Sequence, residues 1–169
     1  MEAQLKTKIK HKMFSTHVDI SAEIRENLVE NLNQTLANAF DLKSMYKQAH
    51  WNVKGIHFIE LHLLFDEAAA EMEPFIDSLA ERITSLGGVA LGTVRMSSSA
   101  TRLAEMPTDV FEGKAMVAAI VERVGAFANH VRKNVDVTDE WDRDTSDLYT
   151  EISRAVDKRL WFFEAHIQG

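Results

Sequence analysis

Apolar residues recur every three or four positions along four stretches of this chain. From Ser21 onward, Ile24, Leu28, Leu32, Leu36, Ala39, Leu42, Met45, Ala49 and Val53 form one stripe. That is the period of an amphipathic helix. Ser21 can cap its start and Glu23 sits in the first turn, where the helix dipole favours an anion. Gly55 ends it. A second helix is predicted from near residues 57–58 to Gly87-Gly88, with Phe65, Ala69, Met72, Ile76, Leu79, Ile83 and Leu86 facing inward. Pro74 lies within that stripe and lacks a backbone donor, so a kink or a break is expected there. Residues 87–108 are rich in Gly, Ser and Thr and read as a long connection, with a short helix expected around residues 102–105. A third helix is predicted over residues 109–135, with Val110, Met116, Ala119, Ile120, Val124, Phe127 and Val131 inside. Residues 136–142 form an acidic turn. A fourth helix is predicted over residues 145–166, with Leu148, Ile152, Val156, Leu160 and Phe163 on one side.

The fold class is therefore all-α. Four helices with one long link between the second and third make a ferritin-like four-helix bundle, in which the short links join antiparallel neighbours. Fold alone does not give function. With 169 residues the chain is one domain, read as a basic tail over residues 1–18 followed by a bundle over residues 19–169. The tail carries Lys6, Lys8, Lys10 and Lys12 against Glu2, while the whole chain has a formal net charge of −7. Two uses fit such a tail: a solvated extension, or an arm that contacts nucleic-acid phosphates. There are no cysteines, which excludes disulfides, thiol catalysis and thiolate metal sites. No apolar run suggests a membrane span and no apolar leader is evident, so a cytoplasmic protein is expected.

The candidate chemistry lies on the first two helices. No histidine stands three residues after a glutamate, so the Glu-x-x-His centre inside a bundle core is absent. Instead His62 and Asp66 form one i,i+4 pair and Asp77 and Glu81 another, with His50 arriving from the end of the first helix. Asp66 and Asp77 face the same way but lie roughly 16 Å apart along the axis. Metal ligands sit about 2 Å from their ion, so one chain cannot close both pairs on one metal. Two antiparallel copies can, because a two-fold axis sets the first pair of one chain against the second pair of the other. Imidazole with carboxylate suits iron, manganese or zinc. Spacing alone leaves the plainer reading open, that these are polar positions on a solvated face.

The surrounding residues narrow the choice. Lys47-Gln48-Ala49-His50-Trp51-Asn52-Val53-Lys54-Gly55 leads into His62-x-x-x-Asp66, then Asp77-x-x-x-Glu81-Arg82 and Leu86-Gly87-Gly88. Asp144-Thr145-Ser146-Asp147-Leu148 and Asp157-Lys158-Arg159-Leu160-Trp161-Phe162 follow near the end. Over residues 20–167 this resembles the Dps family of mini-ferritins, the DNA-binding proteins from starved cells. The resemblance implies a hollow homo-dodecamer that oxidises Fe(II), by preference with hydrogen peroxide but also with O2, and stores the Fe(III) as mineral. It implies DNA protection, and DNA binding in many members. The implied iron ligands are His50, His62 and Asp66 from one subunit, with Asp77 and Glu81 from its two-fold partner. Trp51 would lie beside the site, able to quench a stray oxidising equivalent. Asp142 and Asp147 match an acidic pore, into which Arg143 intrudes as a basic residue. His57 is an accessory ligand at most. His130 and His166 are expected at the surface or in salt bridges, and Met13, Met45, Met72, Met96, Met106 and Met116 as core or loop fillers. Zinc or manganese would serve as surrogates for iron. The alternative reading is a non-specific nucleoid protein acting through its tail. A metal-dependent hydrolase is a weaker third, for want of further acid, base or substrate-pocket residues.

Overall fold

A computed structural model describes residues 12–168. Among them are α1 (Ala22–Asn52), α2 (Phe58–Ser85), α3 (Val94–Ala100), α4 (Gly113–Asp139) and α5 (Arg143–Ala165), with no strand. The four long helices form the bundle and α3 interrupts the link between α2 and α4. Short turns make α1–α2 and α4–α5 antiparallel hairpins. Lys54, just past α1, forms an isolated bridge with Glu112, just before α4, while Asn31 meets Asn134. These contacts at opposite ends make α1 and α4 antiparallel. Glu71 on α2 meets Arg159 on α5, and Arg82 meets Asp142, so the second pair is antiparallel too. The α2–α4 link therefore returns along the length of the bundle.

The predicted stripes form most of the core, with Ile24, Val110, Leu148 and Leu160 only partly buried against it. Leu28, Leu32, Leu36 and Leu42 of α1, Phe65, Leu79 and Ile83 of α2, and Ile120, Val124 and Phe127 of α4 are fully buried. Phe163 of α5 sits between Tyr46 and Phe65, with ring centroids 5.8 and 5.6 Å away. The Ser21 hydroxyl accepts the amide of Ile24, as its capping position requires.

Several boundaries differ from expectation. The short helix is at Val94–Ala100, capped by Thr93, not at residues 102–105. The later stretch needs no helix because side chains satisfy its backbone: Asn38 accepts the Arg102 amide, and Arg123 donates to the carbonyls of Ala104 and Glu105. The third long helix starts at Gly113, where the Glu112 carboxylate accepts the Ala115 amide, and continues through the acidic residues to Asp139. Pro74 does not break α2. Both Pro74 and Ala70 are exposed, so the carbonyl that loses its donor can be hydrated.

Two further findings correct side-chain expectations. His130 is neither at the surface nor in a salt bridge. It is half-buried, with Nε2 2.9 Å from the Thr35 hydroxyl and 3.0 Å from Asn134 Nδ2. This network continues through Tyr149, whose hydroxyl donates to Asn31 Oδ1 at 2.5 Å, and so joins α1, α4 and α5. Met96 is exposed on α3 while Met45, Met72, Met106 and Met116 are buried. Of the expected tail, Lys6, Lys8 and Lys10 lie outside the described residues. Lys12 is exposed, its ammonium 4.6 Å from the Phe14 ring centroid. Met13 packs against the core and the Phe14 amide donates to the Gly87 carbonyl at 2.7 Å. Gly87 has φ +86°, and a Cβ there would stand 2.5 Å from the Phe14 oxygen, so this docking depends on glycine.

Candidate metal half-sites

His50 ends α1 and His62 lies one turn into α2, brought together by the turn at Gly55. Their rings stack with centroids 3.7 Å apart. His50 Nδ1 lies 2.7 Å from the His62 carbonyl, and His62 Nδ1 lies 2.9 Å from the His50 carbonyl. A carbonyl only accepts, so each Nδ1 must carry the proton. An imidazole protonated at Nδ1 alone presents its lone pair at Nε2, the form that binds metal. The reciprocal bonds also fix both rings in orientation.

Asp66 follows one turn after His62 and is exposed. Lys47 donates to its Oδ1 at 2.5 Å. The Lys47 hydrogen bond holds the Asp66 carboxyl below the usual carboxylate range against the opposing effect of desolvation, and the charge of Lys47 acts in the same direction. Lys47 opens the motif, and the structure makes it the counter-ion of Asp66. Its ammonium also lies 5.8 Å from the ring centroid of Trp51, which is exposed beside the pair.

Asp77 and Glu81 are exposed on the later half of α2. The helix is continuous through Pro74, so the axial separation of about 16 Å from Asp66 is kept. Among the described residues no three His, Asp or Glu side chains come together as a metal group. The expected ligands thus lie in two separate places on one chain, His50, His62 and Asp66 in the first, Asp77 and Glu81 in the second. His57 stands apart: exposed at the start of α2, its Nδ1 is 2.8 Å from a carboxylate oxygen of Glu60.

Asp142 is engaged within the chain. It caps α5, accepting the Thr145 amide and hydroxyl, and forms an ion pair with Arg82. Burial acts to raise its pKa, but the hydrogen bonds from Thr145 and Arg82 outweigh it and hold the carboxyl below its ordinary value. Asp147 is exposed one turn further on.

An all-α bundle with this crossover and a divided His/carboxylate set defines the mini-ferritin class. Residues 29–169 match the ferritin-like domain family. The chain is 41% identical over 158 residues to the DNA protection during starvation protein of Agrobacterium fabrum, covering 93% of this chain and 98% of that one. It superposes on DpsC from Streptomyces coelicolor with TM-score 0.89 at 30% identity, covering 97% of each chain. It also superposes on a Dps protein from Vibrio cholerae O1 with TM-score 0.85 at 26% identity, covering 94% of this chain and all of that one. That protein is described as a member of a broad superfamily of ferritin-like diiron-carboxylate proteins. The chain belongs to the ferritin-like family and, within it, to the Dps proteins. No helix among the described residues is long and apolar enough to cross a membrane.

Proposed function

We propose that the protein is a ferroxidase and iron-storage mini-ferritin. It oxidises Fe(II) with hydrogen peroxide, or more slowly with O2, at sites shared between two subunits. It holds the Fe(III) mineral inside a homo-dodecamer and so protects DNA from oxidative damage in the cytoplasm. The observation that carries this reading is the reciprocal bonding of His50 and His62, which fixes two stacked rings by Nδ1 and leaves each Nε2 for a metal. Such preparation costs conformational freedom and serves packing little, since both rings are only half-buried.

In this reading His50, His62 and Asp66 of one subunit face Asp77 and Glu81 of its two-fold partner. Nitrogen and carboxylate donors suit Fe(II), and zinc or manganese would bind the same set as surrogates. Lys47 yields Asp66 when the cation arrives, replacing one positive partner with another. Two Fe(II) ions each give up one electron, and together they break the O–O bond of one peroxide to leave two hydroxides. No single-electron cleavage occurs, so no hydroxyl radical is released. Trp51 stands close enough to the pair to intercept a stray oxidising equivalent. The acid excess of the chain draws Fe(II) towards the shell. Asp147, exposed near the start of α5, remains a candidate pore residue, with Asp142 behind it in its ion pair. His57 is an accessory ligand at most.

Stopped-flow measurement of Fe(II) oxidation by peroxide tests the site. His50→Ala and Asp77→Ala should each slow the reaction strongly while the assembly stays intact. Unchanged rates in both would refute the ligand assignment. The second reading, a nucleoid protein acting through Lys6, Lys8, Lys10 and Lys12, rests on the concentration of lysine ahead of an acidic body. Deleting residues 1–12 separates the two, since only DNA binding depends on them.

A further inference from the structure

Away from the half-sites, a groove of about 900 Å³ lies between α1, the α3 region and the second half of α4. Its floor is the exposed edge of the buried polar network, with Asn31, Asn134 and His130. Arg95, Arg102 and Lys133 are exposed around it, and Trp141, Val137 and Met96 supply its apolar wall. Three cations gathered round one concavity are unusual in a chain of net charge −7. Several other arginines are held: Arg82 by Asp142, Arg132 by Asp157, Arg159 by Glu71 and Arg25 by backbone carbonyls. The side chains of Arg95, Arg102 and Lys133 have no hydrogen bond or ion pair among the described residues. Glu30 is the one carboxylate among the described lining residues and has an interaction of its own.

Burial depresses the basicity of His130, and the charges of Arg102 and Lys133 add to the effect, so both cations stand near the imidazole. Asn134 Nδ2 donates to His130 Nε2, which places the neutral ring's proton on Nδ1. That N–H has no partner among the described residues. The groove therefore gathers three cations and the His130 N–H against a single lining carboxylate, Glu30, an excess of donors that an oxyanion can satisfy. Its volume is far larger than one phosphate needs and lies in the range of small-molecule sites. The part beyond the cations carries amides and a half-buried indole.

We propose that this groove binds a phosphate-bearing small molecule of mononucleotide size, with its phosphate between Arg102 and Lys133 and its ring against Trp141. Arg95 adds a long-range attraction. The site is independent of iron oxidation, because none of these residues belongs to either half-site.

Calorimetry on the assembled full-length protein tests it, with AMP and inorganic phosphate as probes. AMP should bind and weaken roughly tenfold or more in the Arg102→Gln/Lys133→Gln protein, the loss expected for removing charge-assisted hydrogen bonds. Trp141→Ala should weaken AMP but not inorganic phosphate. Circular dichroism and particle mass confirm that the variants keep the fold, and their iron oxidation should match the parent. Absence of AMP binding at millimolar concentration, or equal affinity in the double variant, overturns the proposal. Equal affinity for AMP and inorganic phosphate overturns the assignment of a ring subsite. If AMP fails to bind while a short DNA duplex binds the parent and not the double variant, the groove is a nucleic-acid surface and the proposal is wrong.

Discussion

His50 and His62 each hold their Nδ1 against the other's backbone carbonyl, and this makes the proposed half-site sensitive to single residues. The two positions stand out in the sequence as candidate metal ligands because imidazole and carboxylate fall at helical spacing within a specific motif. Their hydrogen bonds were not legible, since they join side chains to carbonyls across a turn. Lys47 illustrates the same limit: its charge is visible in the sequence, but its partner Asp66 is on another helix. The Tyr149 network was missed altogether, because it joins positions on three helices more than a hundred residues apart in part. Tyr149 is fully buried and its hydroxyl serves Asn31 and Thr35. Tyr149→Phe should therefore lower stability by about 1–3 kcal/mol, the usual cost of stranding buried polar partners. Chemical denaturation of the two proteins gives the difference. His130 sets a pH dependence. Burial lowers its pKa below the ordinary 6.5, so the folded chain binds fewer protons than the unfolded one. Its contribution is fully present above pH 6.5 and is lost as pH falls through the lowered folded value. The wild type should lose more stability than His130→Asn when both are taken from pH 7 towards pH 5, as followed by thermal melts.

At the scale of elements, the stripes named the long helices because burial of one face repeats along each. Their ends were less legible where capping and tertiary bonds compete. Val94–Ala100 contains a run of serines, poor in helix propensity, and forms a helix through the Thr93 cap and its packing on α1. Pro74 shows the reverse case, a strong local breaker overruled by the packing of Met72, Ile76 and Leu79 on the inner face of α2. Its cost should still be present in the helix. Pro74→Ala should raise the denaturation midpoint, with an upper limit of about 3 kcal/mol set by the proline penalty in a helix interior. A lower midpoint would mean that the proline's shape is needed for packing rather than merely tolerated.

At the scale of the whole molecule, one chain carries its proposed iron ligands in two places, and in the proposed site a second chain completes each. Light scattering should find a particle close to twelve times the 19.1 kDa chain. The tail belongs to this scale as well, because weak phosphate contacts gain strength when many copies act together. DNA retardation, if the lysines carry it, should disappear steeply with added salt and with deletion of residues 1–12. Retardation that survives both would assign DNA binding to the body. The divided site itself is tested most directly by co-assembling His50→Ala subunits with Asp77→Ala subunits and measuring Fe(II) oxidation by stopped flow. A two-fold pair containing one of each has one site with both lesions and one with neither, so random equimolar mixing should restore roughly a quarter of the sites. Mixed shells clearly more active than either parent shell are the predicted result; mixed shells no more active than the parents would contradict a site shared between subunits.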